Sequence, residues 1–242
     1  MRVLDNESHI RVSRAIGQYA TPIGLIALAV GLFISFSHPD WLVLMMICLL
    51  VGFTASVVGG FFLDRYVGPL AHHTTLAAAL KGLTNQYILL QYQKLPASHI
   101  LLEPGGITIF VLKAQGGEIS YQENGRWKHR QRGKFFRQFA GQETVGSPHA
   151  EAEYRVKKMR QWLTKQVGEN DEQSIMDVPV RGVIVFTNPD VILNAEGAPV
   201  PALPARKLKA WLRGPGKLNP LPRPVYERLL HLLVPDDSYP SE

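Results

Sequence analysis

Ala97-Ser-His-Ile-Leu-Leu-Glu-Pro-Gly-Gly-Ile-Thr-Ile-Phe-Val-Leu-Lys113 is the stretch on which the fold turns. The runs His99–Glu103 and Ile107–Leu112 flank Pro104-Gly105-Gly106, which is a strand–turn–strand signal. Upstream, His72 to Tyr92 carries Leu76, Leu80, Leu83, Tyr87 and Leu90 at helical spacing, predicting an amphipathic helix. Downstream, Glu118 to Gln122 predicts a strand running into Glu123-Asn124-Gly125. Asn-Gly favours a type I′ turn, with Arg126-Trp127-Lys128 returning. Pro148 to Gln166 holds Ala152, Val156, Met159 and Leu163 on one stripe, a second amphipathic helix. Val180 to Phe186 is almost continuously apolar, as in a strand buried on both faces. Leu208–Arg213 and Val225–Leu233 complete the pattern as short helices. The order predicts an α/β domain with a central mixed sheet flanked by helices.

The chain before this domain has a different composition. Between Ala20 and Leu63 the only charged residue is Asp40. Two apolar segments, Ala20–Phe36 and Trp41–Leu63, are joined by Ser37-His38-Pro39-Asp40, which supplies turn chemistry. About 20 apolar residues at 1.5 Å each cross a bilayer, so the pair predicts a transmembrane two-helix hairpin over residues 19–66. Residues 1–18 are expected to form a cytoplasmic segment. Arg2, Arg11 and Arg14 precede the first span, Arg65 and Lys81 follow the second, and the connecting loop has neither Lys nor Arg. Positive-inside logic then makes this an integral membrane protein with both termini and the folded domain cytoplasmic. Gly52, Ala55, Ser56, Gly59 and Gly60 offer small residues for close approach to the first span or to a second copy of the chain.

From Asp64 onward there are 23 Lys and Arg against 17 Asp and Glu, a soluble-domain composition. A polytopic transporter and a wholly soluble protein are both excluded. The single cysteine, Cys48, excludes an internal disulfide and a cysteine-based zinc site. No phosphate-binding Gly-rich loop, nucleophile-elbow serine or His-Glu-x-x-His motif is present, which removes support for nucleotide hydrolysis and for serine or zinc hydrolysis.

The segment Ala97–Lys113, followed by Gly116-Gly-Glu-Ile-Ser120, by Trp127 and by Ser147-Pro148 opening a helix, resembles the nuclease-related (NERD) domain of the restriction-endonuclease-like superfamily. The family reads roughly I-D-H-V-V-V-x-P-x-G-V-F-V-I-E-x-K, then a Gly-containing strand, a Trp and N-P-x-x-Q. The resemblance covers about Leu80 to Leu212. It implies a divalent cation held by the strand Asp and the Glu of E-x-K, with the Lys steadying the attacking water. Those positions fall on Ser98, Val111 and Lys113. A helix-borne Glu falls on Leu83 after Gly82, and the Asn and Gln of N-P-x-x-Q fall on Ser147 and Glu151.

The lysine is kept and the metal-binding carboxylates are replaced. Valine cannot ligate a cation and a serine hydroxyl is a poor ligand for Mg²⁺. The expected state is a degenerate active site with no metal and no cofactor. Lys113 is expected at a strand end, reaching solvent with no anion beside it. Ser98, Val111 and Lys113 are expected at one end of the sheet, facing the first helix of the domain. Glu103 and Glu118 are the carboxylates close enough in sequence to rebuild a site.

Arg126, Lys128, Arg130, Arg132, Lys134 and Arg137 form a basic run without acids, interleaved with Trp127, Phe135 and Phe136. Such a run suits a polyanion, either nucleic acid through phosphate contact and base stacking or the anionic head groups of membrane lipids. The domain is expected over 67–215, with a C-terminal helix and tail over 216–242. Three functions stay open: a membrane-anchored NERD-like module that binds or assembles without cutting; a Mg²⁺-dependent nuclease with a relocated site; and a membrane protein that contacts only lipid or a protein partner, a second copy included.

Overall fold

The computed structural model describes residues 1–68, 71–131, 144–166 and 177–234. It divides into two compact units. One is a helical pair within residues 7–72. The other is an α/β unit that takes in residues 1–6, 73–130 and the chain from residue 145 onward.

The helical pair consists of α1 (Glu7–Ser37) and α2 (Leu42–Tyr66). The connecting turn is fixed by the Trp41 N–H donating to the His38 carbonyl at 3.0 Å and by the stacked rings of those two residues. One seam of α1, through Ser13, Gly17, Gly24, Gly31 and Ile34, is buried. Gly17 and Gly24 meet the α2 backbone, and Gly31 meets the Cys48 and Leu49 side chains. A Cβ added at Gly24 would lie 2.6 Å from the Ser56 amide nitrogen, and one added at Gly52 would lie 2.8 Å from the Gly24 carbonyl oxygen. The small residues expected to let the spans approach, Gly52, Ser56 and Gly59, therefore face α1. The seven-residue repeat of glycine on α1 itself is the part that the sequence reading missed. Repeats of this spacing keep one face turned to a partner helix. All around the rest of the pair, large apolar side chains are exposed, among them Leu25, Phe33, Phe36, Met46 and Leu50.

The α/β unit is built on a six-stranded mixed sheet in the order β1-β2-β3-β4-β7-β9. Its strands are β1 (Arg2–Asp5), β2 (Ile88–Gln91), β3 (His99–Glu103), β4 (Gly106–Lys113), β7 (Val180–Phe186) and β9 (Ala202–Pro204). A second, three-stranded sheet joins β5 (Gly117–Tyr121), β6 (Trp127–Arg130) and β8 (Val191–Asn194). Among the described residues this part of the chain has four helices: α3 (His72–Leu80), α4 (Pro148–Gln166), α5 (Ala205–Arg213) and α6 (Arg223–Leu233).

The expected helix over 72–92 is shorter than its periodicity suggests. Gly82 has φ 89°, a left-handed conformation that ends the helix two residues after Leu80. Ile88, Leu89 and Leu90 then form β2, buried on both faces between β1 and β3. A short apolar run buried on both faces fits a helical repeat by chance. Residues 1–18 are likewise not a separate segment. Arg2–Asp5 pairs in parallel with Ile88–Gln91, and Glu7 begins α1. The C-terminal helix also joins the domain: Leu229, Leu233 and Val234 share a core with Ile100, Ile109, Met159 and Leu163.

The pleat of β4 sorts the core into two sides. Ile107 and Ile109 pack with α4 and α6, while Phe110 and Leu112 pack with Leu76 and Leu80 of α3 and Leu208 and Leu212 of α5. At the far end of β4, Val111 continues the α4 side in a third cluster with Ile119, Val145, Ala152, Ile184 and Phe186.

Candidate functional site

Register places the candidate positions. β3 and β4 pair antiparallel with Ile100 opposite Ile109, and the chain continues outward to Ser98 on one side and Val111 on the other. Ser98 sits just before β3, half-buried. Its carbonyl accepts the Tyr92 N–H at 2.7 Å, and Tyr92 adopts φ 55° at the end of β2 to make that bond. β4 and β7 run parallel, with Val111 beside Ile184 and Lys113 beside Phe186. The Thr187 N–H donates to the Lys113 carbonyl at 2.8 Å and extends the pairing one step.

Val111 is 4% exposed and shares its cluster with Ala152 of α4. The site position therefore faces α4, not α3 as expected. Leu83, the position of the helix-borne Glu, is buried with Leu76, Leu80 and Leu89 on the opposite side of the sheet.

Lys113 departs most from expectation. It is buried, and its Nζ donates to Glu151 Oε2 at 3.0 Å. Glu151 stands in the first turn of α4, where its N–H takes the Ser147 carbonyl at 3.1 Å, and Arg155 one turn on approaches its other oxygen at 3.5 Å. An ionised carboxylate beside an ammonium satisfies a lysine that has few waters around it. The anion that the strand lost at position 111 is thus supplied to the same lysine from the helix.

The two carboxylates that could rebuild a metal centre are elsewhere. Glu103 is 2% exposed. Its Oε1 accepts from the Thr108 hydroxyl and from Arg181 Nη2, the latter at 2.8 Å, while Arg181 Nε donates to Thr108 at 2.8 Å. The Arg181 guanidinium lies 4.7 Å from the centre of the Trp211 ring, on the α5 side of the sheet. Burial pushes the Glu103 carboxyl above its ordinary range, against the pull of Thr108 and Arg181. Glu103 is on the opposite side from Val111 and at the other end of β4. Glu118 is exposed on β5, paired across the strand with Arg130. Among the described residues no group of three or more His, Cys, Asp or Glu is placed to hold a metal ion. The donors present do not fit the divalent cation that the strand motif implies. Around Lys113 they are one helix-borne carboxylate already paired, one hydroxyl and an isopropyl group.

On the basic run, β6 alternates. Lys128 and Arg130 are exposed, as is Arg126 at the turn. Trp127 points the other way: its Nε1 donates to His149 Nδ1 at 3.1 Å, and its ring packs against Tyr121 and Phe186. The tryptophan grouped with the basic residues for base stacking packs, half-buried, against the core instead. Arg132, Lys134, Arg137, Phe135 and Phe136 lie outside the described residues.

Residues 72–187 match the family model of the nuclease-related domain. Just under half of the chain is thus similar to a NERD domain. The match runs from the start of α3 to the end of β7, so Ser98, Val111, Lys113 and Glu151 all fall within it. No curated protein and no solved structure matches the chain. The NERD match ends before β8, β9, α5 and α6, and it leaves out β1 and the helical pair. Sequence reasoning had placed Glu151 at the family's Gln position without seeing its partner. The usable signal was the exchange itself, a carboxylate gone from 111 and one gained at 151.

Proposed function

We propose that this chain is a membrane-anchored NERD module that does not cut phosphodiesters and acts by binding or assembly at the cytoplasmic face. The observation that carries the reading is the Lys113–Glu151 pair beside an apolar Val111. Hydrolysis of a phosphodiester by this family's chemistry needs a cation whose charge offsets the developing oxyanion, and such sites are built from carboxylates. Here the strand offers none, and the lysine that would meet a phosphate is neutralised from α4.

The anchor rests on length and exposure. The most apolar 18-residue stretches within α1 and within Leu42–Leu63 have mean hydropathies of 2.0 and 2.5. A helical pair with Phe33, Phe36, Val43 and Leu50 all at least 67% exposed suits lipid, where apolar side chains carry no hydration cost. The charge bias of the flanks sets both ends on the cytoplasmic side. For the binding role, exposed Arg126, Lys128 and Arg130 with Trp127 packed against the core favour phosphate contact over base stacking. Anionic lipid head groups supply such phosphates, at roughly 1 kcal/mol per basic residue near the surface.

The test uses the full-length chain in detergent micelles, because a fragment starting at Asp64 would lack β1. Incubation with DNA and RNA in Mg²⁺ or Mn²⁺ is expected to give no cleavage. Cleavage that disappears in Lys113→Ala overturns the reading and establishes a relocated active site. For the anchor, reporters active only in the cytoplasm should work when fused at either terminus, and silence at the C-terminus would defeat the topology.

A further inference from the structure

A second site lies at the turn end of β3 and β4, on the opposite side of the sheet from Lys113. There a pocket of about 300 Å³ is bounded by Thr84 and Tyr87 before β2, by Glu103 at the end of β3 and Gly105 in the turn, and by Arg213 at the end of α5 and Lys217 beyond it. Its walls are fixed. The Leu221 N–H donates to the Pro104 carbonyl at 2.8 Å, and Gly105 has no room for a side chain, since Asn219 O would lie 2.6 Å from a Cβ there. Arg213 is tied to the Gly82 carbonyl at 2.5 Å, and the Tyr226 hydroxyl holds the Gln86 carbonyl at 2.6 Å.

The chemistry of the lining is specific. Glu103 lines the pocket while being almost wholly buried, and the bonds from Thr108 and Arg181 both fall on Oε1. Oε2 takes neither bond, and a carboxylate paired with Arg181 offers it as an acceptor. Arg213 and Lys217 have no carboxylate partner among the described residues. With Arg181 already offsetting Glu103, the pocket keeps two positive charges for an anion. Cations beside a lone acceptor select an oxyanion that brings its own proton.

We infer that this pocket binds a small phosphate carrying its own hydrogen-bond donor, either inorganic phosphate or a hydroxyl-bearing phosphate monoester, with Arg213 and Lys217 on the charge and Glu103 Oε2 accepting the donor. Partial burial, with the Glu103 charge adding to it, raises the Tyr87 hydroxyl on the pocket wall. The inference is independent of whether the Lys113 end cuts.

Phosphate and sulfate have the same shape, but at neutral pH phosphate carries a proton and sulfate does not. The experiment is calorimetric titration of the full-length chain in detergent with inorganic phosphate, glycerol 3-phosphate and sulfate. Phosphate is expected to bind at least about tenfold more tightly than sulfate, because sulfate leaves the Glu103 carboxylate facing an oxygen without a proton. Glycerol 3-phosphate binding more tightly than phosphate assigns the site to monoesters; the reverse order assigns it to the free ion. In Glu103→Gln the amide can donate, so sulfate should come within about twofold of phosphate. Lys217→Ala, at an exposed position, should weaken phosphate about fivefold or more without touching the fold. Failure of phosphate to bind, equal affinity for sulfate in the unaltered chain, or unchanged binding in Lys217→Ala overturns the inference. If Glu103→Gln does not fold, the phosphate-to-sulfate ratio and Lys217→Ala still decide it.

Discussion

Each end of β4 has one ion pair beside it, and the two are built differently. At the turn end, Glu103 is held by Thr108 and Arg181 inside the sheet, with side-chain exposures of 2% for the acid and 20% for the guanidinium. At the other end, Lys113 is 10% exposed and its partner Glu151 is 38% exposed, carried by a helix. A carboxylate survives deep in this sheet where two donors reach it, because an unpaired buried charge costs several kcal/mol. Where the surroundings are Ile119, Ala152, Ile184 and Phe186, the strand holds valine and the anion moves to the rim.

The contrast can be broken most directly by Val111→Glu. A carboxylate there enters an apolar cluster with Lys113 already engaged, and unfolding in denaturant should show a loss of about 3–5 kcal/mol. In Ser98→Asp, Val111→Glu, part of that loss should return on adding Mn²⁺, read as a metal-dependent rise in melting temperature. A neutral effect of the single change would show that this end tolerates an acid as the other does. Arg181→Met tests the buried pair from the cation's side. It strands Glu103 and removes the contact with Trp211, and it should cost about 3 kcal/mol by the same measurement.

Glu151→Gln, which restores the family's residue, should cost only about 0.5–1 kcal/mol, since the acid is more than a third exposed. A loss as large as that of Arg181→Met would mean that the rim pair is as structural as the buried one. The smallest effect concerns pH. Glu103 titrates in the folded chain above the 4.5 of a free side chain. Its contribution to stability is full below 4.5 and is lost as the pH rises through the raised value. Glu103→Gln should remove this dependence, so the difference in melting temperature between the two proteins should drift as the pH rises above 4.5 and level off once the carboxyl is ionised.

The same contrast explains what could be read in the sequence. The β3–turn–β4 unit is local, with Pro104-Gly105-Gly106 between two apolar runs, and so are the β5–β6 turn at Asn124-Gly125 and the stripe of α4. β2 was read as helix because Ile88–Leu90 is buried on both faces and its strand partners lie elsewhere in the sequence. β1 has four residues and its partner begins at Ile88, far beyond any local signal. The short β8 and β9 strands, and with them the second sheet, carry no periodicity of their own. The placing of Val111 at the family's Glu position came from the resemblance of Ala97–Lys113 to the NERD motif. That Lys113 would find Glu151 was not, because it depends on how α4 packs on β4 and β7.

The parallel pairing of Arg2–Asp5 with Ile88–Gln91 has a consequence for how the molecule is made. The residues between those strands include both apolar helices, so the helical pair is an insertion within the sheet's own chain path and not an appendage to it. An inserted segment leaves and re-enters the same folded body, which obliges any membrane passage to occur in even number whatever the flanking charges. It also makes the outermost strand pair the most non-local contact of the sheet. β1 emerges from the ribosome first and waits for some eighty further residues before its partner exists. Closing a loop of that size costs little more than closing a short one, because the entropy grows only with the logarithm of length. The delay falls instead on the rate, since high contact order slows folding. Completion of the sheet edge therefore reports that the hairpin between β1 and β2 has already been synthesised.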